Sequence, residues 1–307
     1  MIQRLLPFLT LIALFAGLSL ASPHFLTGTN LSSVVRQTAV INIMALGMTL
    51  IIIAGGIDLS VGSILAFGGL LGTMAMEKGM PIPLGIAIGI AAGMFWGFAN
   101  GFLTTTLRIN PFIVTLGTLG IVRGIALIIS NGLPVHQIPQ QFSYLGEGTL
   151  LAVPFVLWIL LLCAVAVHVI LDHTRLGRSA FAIGSNPEAA LYAGINVAFV
   201  TVAVYSIGGM LTGLAGMIEA SRLMTGQPTA GQGYELQAIA AVVIGGGSLR
   251  GGEGSVVGTL VGAFIMGLLA NGSDLLGISP YLQQAIIGAI IILAVAVDEL
   301  RKRKLSA

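Results

Sequence analysis

The chain has 307 residues, of which 56% are hydrophobic and only 8% charged, with a formal net charge of +2. A soluble domain carries about 25% charged residues. At a mean hydropathy of +1.02 this chain could not present a hydrated surface around so much apolar side chain, so the composition excludes a soluble domain and selects the bilayer. No basic stripe with interleaved aromatics supports nucleic-acid binding, and the single cysteine, Cys163, excludes an intrachain disulfide or a Cys-rich metal site.

A helix needs about 20 apolar residues to cross the hydrocarbon core. Ten candidate spans follow in order, at approximately 5–22, 33–54, 61–77, 83–106, 112–130, 150–171, 198–220, 235–250, 254–272 and 280–298. Arg4, the apolar run Leu5 to Leu18 and the small residues Ser19-Leu20-Ala21 also resemble a signal peptide; we read them as a retained first helix. The spans at 61–77 and 235–250 are short and rich in glycine, and either is open to being broken or partly crossing, which bounds the count at eight to ten.

Orientation follows from Lys and Arg, which concentrate on the cytoplasmic side. Threading ten spans from a cytoplasmic N-terminus puts Arg4, Arg108, Arg175, Arg178, Arg250, Arg301, Lys302, Arg303 and Lys304 inside. Lys78 and Arg222 fall outside, and Arg36 and Arg123 lie at or within span ends. The expected fold is therefore all-α and polytopic, one transmembrane domain over 1–307 with both termini in the cytoplasm. Two connections are long: 131–149, holding Pro134, Pro139, Gly146 and Gly148, falls outside, and 172–197 falls inside.

Gly85, Gly89, Gly93, Gly97 and Gly101 recur every four residues and line one face of the fourth span, as Gly254, Gly258 and Gly262 do in the ninth. Small residues at this spacing let helix backbones approach closely. A short echo relates Gly55-Gly56-Ile57-Asp58-Leu59-Ser60-Val61-Gly62-Ser63 to Gly245 through Gly252. Transporters are often built from repeated halves with glycine-interrupted helices near the substrate path.

No catalytic set stands out. The chain has no Gly-x-x-x-x-Gly-Lys-Ser/Thr and no His-Glu-x-x-His, and His24, His136, His168 and His173 are scattered. The inner connection is more informative. Asn186 suits an N-cap, Pro187 the first helical position, Glu188 the positive end of the helix dipole and Gly194 the stop. A helix of about two turns outside the bilayer follows, to be read either as a surface turn or as a docking helix for a cytoplasmic partner.

Polar residues in apolar spans are costly and call for a reason. Asp58 fits an N-cap of the third span, acting on the amides near Ser60 and Val61, or a gate contact. Arg123 either snorkels to the interface or pairs with Glu147 or Glu219. Asn42 and Asn110 offer hydrogen bonds to a polar solute or to neighbouring helices.

The Gly-Gly-Ile-Asp-Leu-Ser-Val-Gly-Ser block at 55–63, the Gly184-Ser185-Asn186-Pro187-Glu188-Ala189-Ala190 loop and the stretch Gln227 to Leu236 resemble the permeases of bacterial ATP-binding-cassette sugar importers. The resemblance covers nearly the whole chain. Gln227 to Leu236, followed by Ala238 to Val243, is most similar to the ribose branch, although galactose, arabinose, xylose and autoinducer-2 permeases share much of the pattern. The resemblance implies a transport subunit of the bacterial inner membrane that is not an enzyme and binds no cofactor itself. ATP and Mg would sit on a cytoplasmic ATPase partner, an external binding protein would deliver the sugar, and a second permease subunit would complete the path, as a homodimer. It assigns ATPase coupling to Gly184, Ser185, Asn186, Pro187, Glu188, Ala189, Ala190 and Gly194. An ion-gradient-driven carrier is the alternative, and it needs titratable groups near the midplane; only Arg36, Arg123 and Glu219 come near.

Overall fold

The computed structural model describes residues 2–279 and 281–290, together with 292, 293 and 296. A bilayer offers no water to backbone amides and carbonyls, so a crossing segment closes its hydrogen bonds internally, as a helix does. The chain begins with α1 (Ile2–Ala21), α2 (Gly28–Ile53), α3 (Val61–Glu77), α4 (Ile82–Thr106) and α5 (Pro111–Ser130). A 3-10 turn at Gln140–Ser143, α6 (Tyr144–Glu147) and the antiparallel hairpin of β1 (Thr149–Leu150) and β2 (Val153–Pro154) follow. Then come α7 (Phe155–His173), α8 (Arg175–Ser185), α9 (Pro187–Tyr192), α10 (Val197–Leu223), α11 (Tyr234–Ile244) and α12 (Val256–Leu275). A last apolar helix, α13, covers Tyr281–Ile290. Most of the remainder of the expected last span, and the basic run Arg301 to Lys304, lie outside the described residues.

Among the described residues, six helices (α2, α4, α5, α7, α10 and α12) are long and apolar enough to cross a membrane. The 17 residues of α3 and the 11 of α11 reach about 25 and about 16 Å at 1.5 Å per residue, short of about 30 Å of hydrocarbon. The expected span at 235–250 is thus corrected to a helix ending at Ile244, where Gly245 caps it and Gly246 turns away with φ +90°. The expected span at 150–171 is corrected as well: residues 149–154 form the hairpin, and the helix starts only after Pro154. The inner connection holds two helices, α8 and α9, where one was expected.

The order long helix, break, short helix, long helix occurs twice: α2, residues 54–60, α3 and α4, then α10, residues 224–233, α11 and α12. α4 runs antiparallel to α10, with Gly101 on Val202 and Gly93 on Gly213. α12 runs antiparallel to α2, with Thr259 on Thr49 and Gly267 on Thr38. The second set therefore retraces the first in reversed direction, the arrangement of an inverted repeat. The break at 54–60 corresponds in this scheme to 224–233, not to 245–252 as the sequence echo suggested.

α2 is the axis of the molecule: every residue from Thr38 to Ile53 is buried. α4, α5 and α7 bury one face and turn Phe95, Phe98, Ile113, Ile128, Leu162 and Val165 outward, as helices bordering lipid do. All five glycines at the four-residue spacing of α4 are buried. A Cβ on Gly68 of α3 would lie 2.9 Å from the Gly89 carbonyl oxygen, and one on Gly97 would lie 3.0 Å from the Gly209 Cα. Lipid gives no hydrophobic push between helices, so this backbone approach is what holds α3, α4 and α10 together.

Gly93→Leu places a side chain where even a Cβ would lie 2.7 Å from the Gly213 Cα. Overpacking of this kind costs about 1–3 kcal/mol, and more where the neighbour is backbone. Gly17 on α1 has open space around it. Thermal unfolding in mild detergent is expected to show a clear loss of stability for Gly93→Leu and none for Gly17→Leu.

Candidate functional site

Among the described residues, polar groups gather at each of the two breaks and on the α8–α9 connection. At the first break, Gly55 takes φ +81°, which turns the chain out of α2. The Gly56 amide donates back to the Ile51 carbonyl at 2.9 Å. The Ile57 carbonyl receives two hydroxyls, from Tyr205 of α10 at 3.1 Å and from Thr115 of α5 at 3.2 Å. Asp58 is wholly buried, and one carboxylate oxygen accepts the Ser60 amide at 2.8 Å and the Ser60 hydroxyl. The Asn100 side-chain amide of α4 donates to Ser60 at 2.9 Å and reaches the other Asp58 oxygen at 3.4 Å. Asp58 thus closes a turn onto the amide of Ser60, and it is Ser60, not Asp58 as expected, that holds the cap position of α3.

At the second break, Arg123 of α5 donates to the Pro228 carbonyl. The two pairings considered for it are taken by other residues: Glu147 pairs with Arg36 at 3.3 Å, and Glu219 with Arg222 at 3.0 Å. The Tyr234 hydroxyl donates to Glu219 at 3.3 Å, tying the start of α11 to the end of α10 across the break. Val135 and Gly226 exchange backbone hydrogen bonds at 3.0 and 2.9 Å, so the 131–139 segment braces the break from the side.

The third region is built on Asn186, which serves two helices at once. Its amide donates to Ala182 at the end of α8, and its side chain accepts from Ala189 at the start of α9, both at 3.0 Å. Pro187 occupies the first turn with Glu188, and Gly194, at φ +81°, stops the helix. α9 buries Ala190 and exposes Leu191 at 62% and Tyr192 at 90%. Thr174 caps α8 by accepting from Gly177 at 3.2 Å. Gly184 and Ser185 at the end of α8 lie against the loops at 55 and 251–252.

The remaining candidates fall elsewhere. Asn42 is buried within α2 and donates to the Thr38 carbonyl at 3.0 Å. Asn110 caps α5, accepting from Phe112 at 2.9 Å. The structure brings Asp58 together with Ser60, Asn100 and Tyr205, but does not bring Asn42, Asn110 or Arg123 into that cluster. Sequence reasoning missed Asn100 and Tyr205. One signal was legible: Asn100 sits on the same helix face as Gly97 and Gly101, where a polar side chain faces protein and not lipid. It also missed α8, whose buried Gly177, Ala180 and Ile183 recur at helical spacing within a polar stretch.

A family model described as branched-chain amino acid transport system / permease component matches residues 30–295. The ribose import permease protein of Escherichia coli is 44% identical over 294 residues, covering 94% of this chain and 92% of the relative. Its Bacillus subtilis counterpart is 43% identical over 298 residues, covering 96% and 92%. The L-arabinose ABC transporter permease protein of Azospirillum brasilense is 38% identical over 293 residues, covering 95% and 86%. No solved structure matches the chain.

Asp58→Ala removes the acceptor of a buried amide and a buried hydroxyl, and each orphaned group costs about 1–3 kcal/mol. Asp58→Asn keeps an oxygen in place. Unfolding in detergent is expected to show a large loss for the alanine variant and a much smaller one for the asparagine variant. Equal stability of the alanine variant and the parent would remove the role of Asp58 in closing the break.

Proposed function

The chain belongs to the permease family described as branched-chain amino acid transport system / permease component, and from that premise we propose that it is the membrane-spanning subunit of an ATP-binding-cassette importer carrying a monosaccharide, ribose first, across the bacterial inner membrane. It is a transport component and not an enzyme. The family description names amino acids, whereas relatives matching nearly the whole chain are named for ribose and arabinose; similarity along the full length is the finer guide. The arabinose permease, at lower identity, makes another pentose the second reading.

The observation that carries the coupling role is α9. Two large side chains, Leu191 and Tyr192, stand exposed on a short capped helix, in the connection where Arg175 and Arg178 also lie. Exposed apolar groups outside lipid call for a protein partner, and a helix seated in a groove is a common mode of such contact. The chain has no phosphate-binding loop of its own, so the partner is an ATPase that holds ATP and Mg, with Gly184 to Ala190 and Gly194 forming the coupling segment. A sugar-binding protein serves the opposite face, and a second copy of this chain completes the path.

The proposal includes eight to ten spans, according to whether the short α3 and α11 cross together with the breaks beside them, with both termini in the cytoplasm. The alternating directions of α2–α4 and α10–α12 and the distribution of Lys and Arg support it. Asp58, within the first break, and Arg123 of α5, whose side chain meets the second, are proposed as gate or path residues, with Asn42 and Asn110 as further polar groups along the path.

The test is purification of the chain in mild detergent with the ATPase subunit encoded beside it. A stable complex is expected, with ATP hydrolysis rising when ribose-loaded binding protein is added. Tyr192→Asp is expected to weaken association by about thirtyfold, the effect of losing an aromatic anchor worth about 2 kcal/mol. Stimulation by loaded arabinose and not ribose would change the sugar; no association with any ATPase would sink the function.

A further inference from the structure

The α8–α9 connection touches both halves of the inverted repeat through glycine backbone. Gly55 leaves α2 in the first half, and Gly251 and Gly252 precede α12 in the second. Between them sits Gly184 of α8. The Gly252 amide donates to the Ile53 carbonyl at 2.9 Å, joining the two halves directly. A Cβ on Gly251 would lie 2.8 Å from the Gly184 Cα and 2.9 Å from the Gly55 Cα, and one on Gly184 would strike Ile53 and Gly252. Ser185 continues the contact, its hydroxyl 2.5 Å and its amide nitrogen 3.0 Å from a Cβ on Gly252. Three separate segments thus meet at Gly55, Gly184 and Gly251 with no side chain between them.

We infer that Gly55, Gly184, Gly251 and Gly252 form a rigid joint that transmits displacement of α9 to both halves of the repeat together. The inference rests on the coupling role of α9 and adds Gly55, Gly251 and Gly252 as positioning residues. Close-packed backbone has little room to deform, so a push on α8 is passed on and not absorbed. On the first-half side the joint continues to the break: Gly56 lies beneath the Tyr205 hydroxyl, which with Thr115 fixes Ile57, one residue before Asp58. On the second-half side, Gly254 packs on Ile53 and Gly258 on Gly245, which links the joint to α12 and the end of α11. A partner moving α9 would therefore shift the two halves in concert, the motion that alternating access by rocking of repeats requires.

The glycines also supply a control. Gly246 takes φ +90°, close to the +88° of Gly251, yet has open space where a Cβ would go. Alanine at either position meets the same backbone strain, and only alanine at 251 wedges the joint. The test reconstitutes the chain with its ATPase subunit and ribose-loaded binding protein in proteoliposomes, and measures ribose imported per ATP hydrolysed. Gly251→Ala is expected to bind the ATPase as the parent does and to hydrolyse ATP, but to import about tenfold less ribose per ATP, within the range of ordinary coupling energies. Gly246→Ala is expected to keep the parental ratio. A parental ratio in Gly251→Ala, or equal losses in both variants, would overturn the joint; failure of the parent itself to import would instead reject the importer reading. Should Gly251→Ala fail to assemble, amide hydrogen exchange on the parental complex decides. Peptides covering 54–60 and 250–256 are expected to change protection together when a non-hydrolysable ATP analogue is added, and a change in one without the other would refute the joint.

Discussion

A peptide group without a partner costs several kcal/mol away from water, and within a bilayer no water is at hand to lower that cost. The two helix breaks at 54–60 and 224–233 can exist only because side chains close them. The Ile57 carbonyl takes two hydroxyls from α5 and α10, the Ser60 amide is taken by Asp58, and the Pro228 carbonyl is taken by Arg123. Thr115 and Arg123 come from α5 and Tyr205 from α10, so the breaks fix where α5 and α10 must stand. The polar residues of the membrane region are in this sense structural: they satisfy irregular backbone where no water would.

Glycine supplies the second constraint. Between α3, α4 and α10, and again between α2 and α10, backbones approach without side chains between them. Such contact has few alternative arrangements, because a shift of one residue brings a bulky side chain into the seam. A packed unit of this kind moves as a body. That property suits a transporter whose halves change their relation to one another while their internal packing is kept.

Much of the membrane architecture was legible from hydrophobicity alone. The long spans, the glycine face of α4 and the cap sequence Asn186-Pro187-Glu188 stand in the structure where the chain placed them. Short-range chemistry explains why: a run of apolar residues, a four-residue period and a capping side chain act within one or two turns. The errors came where neighbours in space decide. The start of α7 was misjudged because Leu150 and Val153 are apolar yet belong to a hairpin. Arg123 was given the wrong partners because Glu147 and Glu219 are claimed by Arg36 and Arg222, which no local pattern reveals.

The sequence by itself determined that this chain lives in a bilayer, that it is helical, and that a short capped helix starts at Pro187, because composition and capping act over a single segment. Only the tertiary structure decided that the second set of helices retraces the first in reverse, that Tyr205 and Asn100 close the break beside Asp58, and that glycines almost two hundred residues apart in the chain meet at Gly184. Those facts depend on which surfaces face one another. A glycine or a hydroxyl carries no mark of its partner until the fold brings the two within contact distance.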